Sequence, residues 1–221
     1  MSPPLPTKLV DSIDHGAGTE LLIVEGDSAA RAVNRLRESR WQAVLPMQGK
    51  PLNAMKAKRE DVVNNPELSA VIAALGVQVT DSVNPRDMRY ERVVLLFDPD
   101  ADGIHGRTLM LLFFYRWLRP LLEMGCVFNA HAPQWVIQAT ELVKPSYAYT
   151  ETHLARIRRQ LTDQKATNVQ TKRFRGLGSL DAATLTELCL NVDSRTLEQL
   201  SPRHAEDAIE VYNQFGADLS R

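Results

Sequence analysis

Three aspartates stand at every second position directly after an apolar run. They are Asp98, Asp100 and Asp102, in the stretch VVLLFDPDADG at 93–103. Carboxylates this close repel one another and raise one another's pKa values unless a positive charge lies among them. Oxygen-rich clusters of this kind bind hard divalent cations such as Ca²⁺ and Mg²⁺. The spacing therefore predicts a cation site.

The pattern D-x-D-x-D-G matches the first half of an EF-hand calcium loop. An EF-hand needs a bidentate glutamate at its twelfth position, and with Asp98 as the first position the twelfth is Leu109. The segment that enters the loop, RVVLLF, has the composition of a strand rather than a helix. A plain solvated turn is the other simple interpretation, but such a turn does not need three acids after a buried strand. Both interpretations are weaker than a site for another divalent cation.

A second apolar run also ends in an acid, because residues 21–24 read LLIV and are followed by Glu25. Ligand sites of parallel sheets lie at the carboxyl ends of the strands. If these two strands are neighbours, four carboxylates meet at one sheet edge. Oxygen ligands in that number suit Mg²⁺ held also by water and a substrate phosphate, as in phosphoryl transfer.

The elements that must position these acids alternate between strand and helix. Strands are predicted at 21–24, 43–47, 90–98 and 126–133, and helices after Glu25, at 66–75 and at 107–125. Asp27 or Ser28 is expected to cap the first helix, and Pro120 to interrupt the last. This order predicts an α/β domain with a Rossmann-like, mostly parallel sheet flanked by helices.

The chain is expected to have three parts. Residues 1–18 form a lead-in, and residues 19–133 form the α/β domain. Residues 134–221 differ in character: they begin with a hairpin or irregular arm at 134–150. The rest of that part is a smaller, mainly helical C-terminal segment with helices at 151–164, 181–190 and 202–213.

Charge is distributed unevenly along the chain. The 221 residues are 44% hydrophobic, enough for an ordinary buried core, and the formal net charge is −1. Residues 31–59 nevertheless hold eight Lys or Arg against one acid, and residues 156–175 hold seven against one, whereas residues 179–221 hold eight acids against three arginines. Basic stretches of this kind favour a polyanionic partner such as DNA.

The sequence indicates neither a membrane protein nor a protein stabilised by disulfides. No apolar stretch reaches the length of a bilayer span, and the N-terminus lacks the apolar core of a signal peptide. Cys126 and Cys189 stand far apart and outside any C-x-x-C spacing, so neither a disulfide framework nor a zinc site is predicted. A cytoplasmic protein with no membrane partner is the expectation.

Four motifs occur together in a recognisable order. They are EGDSA at 25–29, LPMQGKPLNAMKAK at 45–58, DPDADGIHGRTL at 98–109 and KRFRGLGSLDAATL at 172–185. In this order and spacing the chain resembles the Toprim domain of type IIA DNA topoisomerases, as found in the B subunit of DNA gyrase and topoisomerase IV. The resemblance covers most of the chain, from about Leu5 to Arg195.

The resemblance implies a magnesium site that supports cleavage and resealing of double-stranded DNA. The matching positions are Glu25, Asp98, Asp100 and Asp102, with Mn²⁺ as a substitute for Mg²⁺. Glu25 is also implied as a general acid or base during resealing. An alternative for Glu25 is a favourable charge at a helix N-terminus, which leaves the four-acid pattern unexplained.

The resemblance also implies DNA contacts by Lys50 and Asn53, which lie in the G-K-x-L-N segment. Lys172, Arg173 and Arg175, before the G-L-G turn, are further candidates for the same role. His105 and Arg107 lie beside the acids, where either phosphate orientation or a structural role fits. Four places depart from the usual family pattern without removing an implied metal ligand: Ala30-Arg31, Gln48, Ile104 and Ser179-Leu180.

The predicted function depends on a partner. The chain has no P-loop pattern, so no ATP site is expected in it, although the complete enzymes of this type hydrolyse ATP. The cleaving tyrosine of the family belongs to the A-type subunit of gyrase or topoisomerase IV, and no tyrosine of this chain has a similar context. Two other functions stay open: a free-standing metal-dependent nuclease, and a non-catalytic regulator that binds a topoisomerase or DNA.

Overall fold

The computed structural model describes residues 4–79 and 83–214. The strands are β1 (Gly16–Glu25), β2 (Gln42–Met47), β3 (Tyr90–Leu96), β4 (Val127–Ala130), β5 (Trp135–Gln138), β6 (Ser146–Ala148), β7 (Gln170–Arg173) and β8 (Leu197–Gln199). The α-helices are α1 (Gly26–Leu36), α2 (Arg59–Asn64), α3 (Pro66–Leu75), α4 (Ala101–Trp117), α5 (Arg119–Glu123), α6 (Glu151–Asp163), α7 (Ala182–Leu185) and α8 (Pro202–Gln214).

The first sheet has five strands in the order β2-β1-β3-β4-β8. Its first four strands are parallel, and β8 runs antiparallel to β4 at the edge. The predicted mostly parallel α/β sheet is therefore confirmed. Leu22 of β1 lies opposite both Val44 of β2 and Val94 of β3. Strands β1 and β3, which lead to Glu25 and Asp98, are neighbours, so the condition stated for bringing the acids to one sheet edge is met.

The sheet is apolar on both faces because each face carries its own layer of helices. Leu21 and Ile23 of β1 belong to a core shared with α3, α4, α5 and α8, whereas Leu22 and Val24 belong to a core shared with α1 and the segment that includes Leu177. All four of these β1 side chains are fully buried. The continuous apolar runs seen in the sequence follow from this two-sided burial.

A second sheet of three antiparallel strands, in the order β6-β5-β7, follows the first. Helix α6 packs on one face of it through Leu154 and Leu161, which belong to one core with Trp135 and Ile137 of β5. Strand β8 and helix α8 return to the first sheet and to the core shared with α4 and α5. The domain boundary at residue 133 stays a prediction.

Two local expectations were wrong, both at helix N-termini. Helix α1 has Glu25 at its N-cap, and neither Asp27 nor Ser28 supplies a cap. Helix α4 begins at Ala101 instead of at residue 107, because the Asp100 side chain accepts a hydrogen bond from the Gly103 backbone N–H and so caps it. Aspartate and glycine have low helix propensity, but the cap outweighs this.

The predicted interruption near Pro120 is present, since α4 ends at Trp117 and α5 begins at Arg119. None of the helices in residues 4–79 and 83–214 combines the length and hydropathy that crossing a membrane requires.

Asp11 lies in a polar cluster with His15, Arg89 and Tyr90 near the start of β3, at the end of the first sheet away from Glu25 and Asp98. Burial disfavours ionisation of Asp11, but hydrogen bonds from Tyr90, Arg89 and His15 outweigh it and lower the pKa of Asp11 to about 2. A carboxyl with a lowered folded-state pKa stabilises the fold above its ordinary pKa of 3.8, and this stabilisation is lost as the pH falls towards 2. Because Asp11 is partly exposed, we expect a contribution of about 1 kcal/mol.

Urea unfolding of the wild type and of Asp11→Asn, measured from pH 7 down to pH 2, tests this. The difference in the free energy of unfolding between the wild type and Asp11→Asn should be constant near neutral pH. It should shrink by about 1 kcal/mol between pH 4 and pH 2, as Asp11 becomes protonated. Asp14→Asn is the matched control, since Asp14 forms only an exposed ion pair with Arg40. A difference that does not change with pH would contradict the assignment.

Candidate metal centre

Glu25 is the last residue of β1 and the N-cap residue of α1. Its side chain is half-buried, and its Oε2 atom is fully buried without a hydrogen-bond partner among the described residues. Burial raises the pKa of Glu25, and the negative charges of Asp98 and Asp100 raise it further. A buried carboxylate oxygen in such surroundings is stabilised by a proton or by a cation.

Asp98 lies two residues beyond β3, beside the end of β1. Its Oδ1 atom accepts a hydrogen bond of 2.7 Å from the Leu177 backbone N–H. Burial raises the pKa of Asp98, the Leu177 N–H acts in the opposite direction, and the charge of Asp100 adds to the increase. Glu25 and Asp98 are thus two half-buried carboxyls whose ionised forms are both disfavoured by burial and by their neighbours' charge.

The two other acids lie at the start of α4, and they differ in their surroundings. Asp100 is exposed and accepts a hydrogen bond of 2.9 Å from the Gly103 N–H. Asp102 is also exposed, and its Oδ1 atom lies 2.8 Å from Lys50 Nζ. The hydrogen bond and the charge of Lys50 lower the pKa of Asp102. Glu25, Asp98 and Asp100 therefore form an electrostatic group, whereas Asp102 is already neutralised by a lysine.

The donor set fits Mg²⁺ better than a cation that needs a closed cage. Within residues 4–79 and 83–214, no three carboxylate, imidazole or thiol side chains converge to enclose an ion on their own. Ca²⁺ takes six to eight oxygen ligands, whereas Mg²⁺ is bound through one or two carboxylates and keeps water and substrate phosphate as its other ligands. The orphaned Oε2 of Glu25 and the carboxylate of Asp98 match that requirement.

A loop from much later in the chain covers Asp98. Gly176 has a φ angle of 132° and passes so close that a Cβ atom there would lie 2.3 Å from Asp98 Oδ2. Leu177 follows with the N–H that holds Asp98 Oδ1, and Gly178 passes close to Ser28 of α1. Sequence reasoning missed these backbone contacts. The G-L-G triplet was the available signal, because glycine allows positive φ and close backbone approach.

The comparisons with known proteins agree with this architecture. The family model of the Toprim domain matches residues 20–131, slightly more than half of the chain. The chain belongs to the Toprim family. The resemblance stated from the four motifs is therefore confirmed.

The Toprim chain is also similar to the B subunits of DNA gyrase from several organisms. It is 37% identical over 215 residues to the one from Halalkalibacterium halodurans, an alignment that covers 97% of this chain and 33% of the relative. The relative from Thermotoga maritima is 36% identical over 209 residues, covering 94% of this chain and 32% of the relative. The relative from Archaeoglobus fulgidus is 36% identical over 210 residues, covering 95% of this chain and 32% of the relative. The chain spans about a third of the length of these relatives.

Beside the acids of the Toprim sheet runs the basic loop that follows β2. Lys50 is exposed, and the hydrogen bond and charge of Asp102 raise the pKa of its ammonium group. Asn53 is partly buried, and its Oδ1 atom accepts a hydrogen bond from the Met55 N–H at 3.1 Å. Lys50 thus lies next to the predicted metal ligands, whereas the side chain of Asn53 shapes its own loop.

Two of the three basic residues around β7 lie next to the acids. Arg173 and Arg175 line a cleft of about 510 Å³ together with Asp100 and Gly176. Lys172 points to the other face of β7 and lines a different cleft, which includes Tyr147 and Thr184. We call the sheet edge that carries Glu25, Asp98, Asp100 and Asp102 the acidic edge. The structure places Arg173 and Arg175 beside this edge and Lys172 away from it.

His105 and Arg107 have structural partners. The guanidinium Nη1 of Arg107 donates to Asn129 Oδ1 on β4 at 3.1 Å, and burial lowers the pKa of Arg107. The ring of His105 lies 6.4 Å from the ring of Tyr212 on α8, centroid to centroid. Of the two roles considered for this pair, these contacts favour the structural one.

Proposed function

We propose that this chain is the magnesium-binding Toprim module of a gyrase B-type topoisomerase and supports DNA cleavage and religation by a tyrosine of a partner subunit. The observation that carries the proposal is the buried Oε2 atom of Glu25, which lies near Asp98 and Asp100 and has no hydrogen-bond partner in the part of the chain that the structure describes. The identity of the relatives, which are B subunits of DNA gyrase, supports it. The A-type subunit and double-stranded DNA are the proposed partners.

Glu25 and Asp98 are the proposed ligands of the ion, and Asp100 lies close enough to add its charge. When bound, Mg²⁺ would stabilise the negative charge of the scissile phosphate and of the 3′-oxygen that leaves it. The hydrogen bond from Leu177 orients the Asp98 carboxylate, and the close backbone of Gly176 restricts its rotation. The Asp98 carboxylate is therefore held in one orientation before the substrate binds.

Glu25 has a second proposed task. Burial and neighbouring carboxylates raise the pKa of Glu25 in the metal-free chain, so when Glu25 does not bind the ion it takes up a proton at a higher pH than an ordinary glutamate does. A proton held there can be donated to the 3′-oxygen on cleavage and taken back when that oxygen attacks on resealing. Asp102 does not share this property, since the ammonium of Lys50 lowers its pKa.

The basic residues nearest the acids are proposed to hold the DNA backbone. Arg173 and Arg175 line the cleft that contains Asp100, and arginine binds phosphate through two parallel hydrogen bonds. Lys50 can exchange its exposed contact with Asp102 for a DNA phosphate, because exposed ion pairs contribute little free energy. For Asn53 and Lys172 a DNA contact stays a proposal that rests on the family resemblance, because Asn53 shapes its own loop and Lys172 lines a different cleft.

Reconstitution tests the proposal. The purified chain is combined with a gyrase A-type subunit, supercoiled DNA and Mg²⁺, and DNA ends with covalently attached protein are counted after denaturation. We expect protein-linked breaks that require all components and that disappear in Glu25→Ala. Calorimetric titration with Mn²⁺ provides a readout independent of cleavage: the wild type should bind at millimolar concentration or below, and Glu25→Ala should bind more weakly.

Two outcomes would overturn the proposal in favour of the other functions. Breaks that form without the A-type subunit and carry no attached protein would indicate a metal-dependent nuclease. Intact DNA together with no detectable Mn²⁺ binding would indicate a non-catalytic regulator.

A further inference from the structure

Helix α6 presents three arginines that the proposed function has not used. Arg156, Arg158 and Arg159 are exposed, and we call them the α6 arginine face. None of the three forms an ion pair with an acid in residues 4–79 and 83–214. Unpaired arginines concentrated on one short helix create a local positive potential that attracts anions.

Packing determines which way these side chains point. Leu154 and Leu161 of α6 are buried against the second sheet, and Ile157 packs beside them. Arg156 and Arg159 are three residues apart and lie together on the side of the helix away from Ile157, whereas Arg158 lies on the other flank of the exposed surface, about 100° around the helix from Arg159. Because the apolar residues of α6 are already buried, the helix cannot insert an apolar face into a membrane.

Arg173, which lies near the acids, is on the same face of the second sheet as α6. Arg173 of β7 pairs with Trp135 of β5, and its guanidinium lies over the Trp135 ring, 5.5 Å from the centroid. Trp135 belongs to the same core as Leu154, so Arg173 lies on the face of the second sheet that α6 covers. Arg173 also lines the cleft that contains Asp100. Arg173 therefore belongs both to the cleft beside the candidate metal centre and to the sheet face on which α6 packs.

The stretch of sequence that contains α6 and β7 is strongly basic, although Lys172 lies on another face. Residues 156–175 contain seven Lys or Arg and one acid, Asp163, which is the last residue of α6. The three arginines lie within one turn of α6, a rise of about 5 Å along the helix axis, which is comparable to the rise between neighbouring phosphates of a DNA strand. Arginine is also the side chain best suited to binding phosphate through paired hydrogen bonds.

We propose that the α6 arginine face binds the phosphate backbone of the same DNA duplex, beyond the nucleotides held at the metal centre. The proposal rests on the proposed function because it takes DNA as the polyanion. It adds a second, sequence-independent contact that would lengthen the segment of duplex engaged by the domain.

Salt-dependent DNA binding tests this without metal or partner. The affinity of the chain for a blunt duplex of about 12 base pairs and another of about 40 base pairs is measured in EDTA over a range of salt concentrations. The triple variant Arg156→Gln/Arg158→Gln/Arg159→Gln should bind the long duplex roughly 10- to 100-fold more weakly, and its log–log salt slope should be smaller by about 2 to 3. Binding of the short duplex should change less.

A matched control removes the same charge elsewhere. Arg116→Gln/Arg119→Gln/Arg203→Gln neutralises three exposed arginines of α4, α5 and α8, the helices on the other side of the first sheet. It should leave the salt slope at the wild-type value, and circular dichroism should show both variants folded. A wild-type salt slope in the α6 variant would overturn the proposal. Equal losses of DNA affinity in both triple variants would also overturn it, because they would indicate a response to net charge alone.

The two proposals fail separately. If Glu25→Ala leaves protein-linked cleavage unchanged but the α6 variant loses its salt slope, the proposed metal chemistry is wrong and the DNA surface stands. If Glu25→Ala abolishes cleavage but the α6 variant keeps the wild-type slope, the α6 proposal is wrong. Retention of DNA binding together with loss of binding to an acidic protein would identify a protein partner for this face and would also overturn it.

Discussion

Asp98→Asn should reduce partner-dependent DNA cleavage roughly 100- to 1,000-fold, the range seen when one electrostatic contact to a transition state is removed. The substitution removes the charge of a proposed Mg²⁺ ligand and keeps the shape of the side chain. The asparagine Oδ1 atom can still accept the hydrogen bond that Asp98 receives from Leu177 at 2.7 Å. The loss should therefore be chemical, with little change in the free energy of unfolding.

A readout in the metal-free chain separates this role from a merely structural one. The charge of Asp98 is, after burial, the largest cause of the raised pKa of Glu25. The pKa of Glu25, followed by NMR of its side-chain carboxyl carbon, should therefore fall in Asp98→Asn. Asp207→Asn, at an exposed position of α8, is the control and should leave both cleavage and this pKa unchanged. Full cleavage activity in Asp98→Asn would refute the ligand assignment.

Arg195→Met should destabilise the fold by about 3 to 5 kcal/mol, because it leaves a buried carboxylate without its charge partner. Arg195 and Glu20 form a bidentate ion pair whose side chains are 1% and 2% exposed. The Gln42 amide donates to the same carboxylate at 2.8 Å and to the Leu190 carbonyl at 3.0 Å. The pair therefore ties the C-terminal segment to β1 and β2. Urea unfolding at pH 7 measures the loss.

Two further variants test whether burial of the ion pair is the reason for the loss of stability in Arg195→Met. Arg40→Met breaks the exposed ion pair between Arg40 and Asp14, 2.8 Å apart, and should destabilise the fold far less than Arg195→Met does. Glu20→Leu combined with Arg195→Met removes both buried charges and should recover most of the stability lost in Arg195→Met alone. If Arg40→Met and Arg195→Met were equally destabilising, burial would not be the cause of the loss.

The sheet was largely readable from the chain because its signals are local. Apolar runs such as residues 21–24 and 43–47 are buried on both faces, and each lies within an observed strand, β1 or β2. Alternation of strands and helices then specifies a mostly parallel sheet through the handedness and shortness of its connections. The start of α4 was misjudged, because the cap formed by Asp100 depends on a side-chain geometry that propensity does not contain.

The C-terminal part was harder to derive. Its helices follow from periodicity, but β8 is only three residues long and joins the first sheet beside β4, a pairing across about seventy positions of sequence. The contact of Arg195 with Glu20 spans an even larger separation. No local pattern encodes such pairings, since their free energy arises only when the partners are brought together.

The amino-acid sequence by itself determined the resemblance to the Toprim family, the mostly parallel α/β class of the sheet and which four carboxylates are the candidate ligands. Tertiary structure decided how those carboxylates differ. Glu25 and Asp98 lie half-buried under the backbone of residues 176–178, whereas Asp102 faces solvent and Lys50. The reason is electrostatic: a carboxylate's charge and pKa depend on burial and on neighbours supplied by distant segments, and spacing along the chain does not contain either quantity.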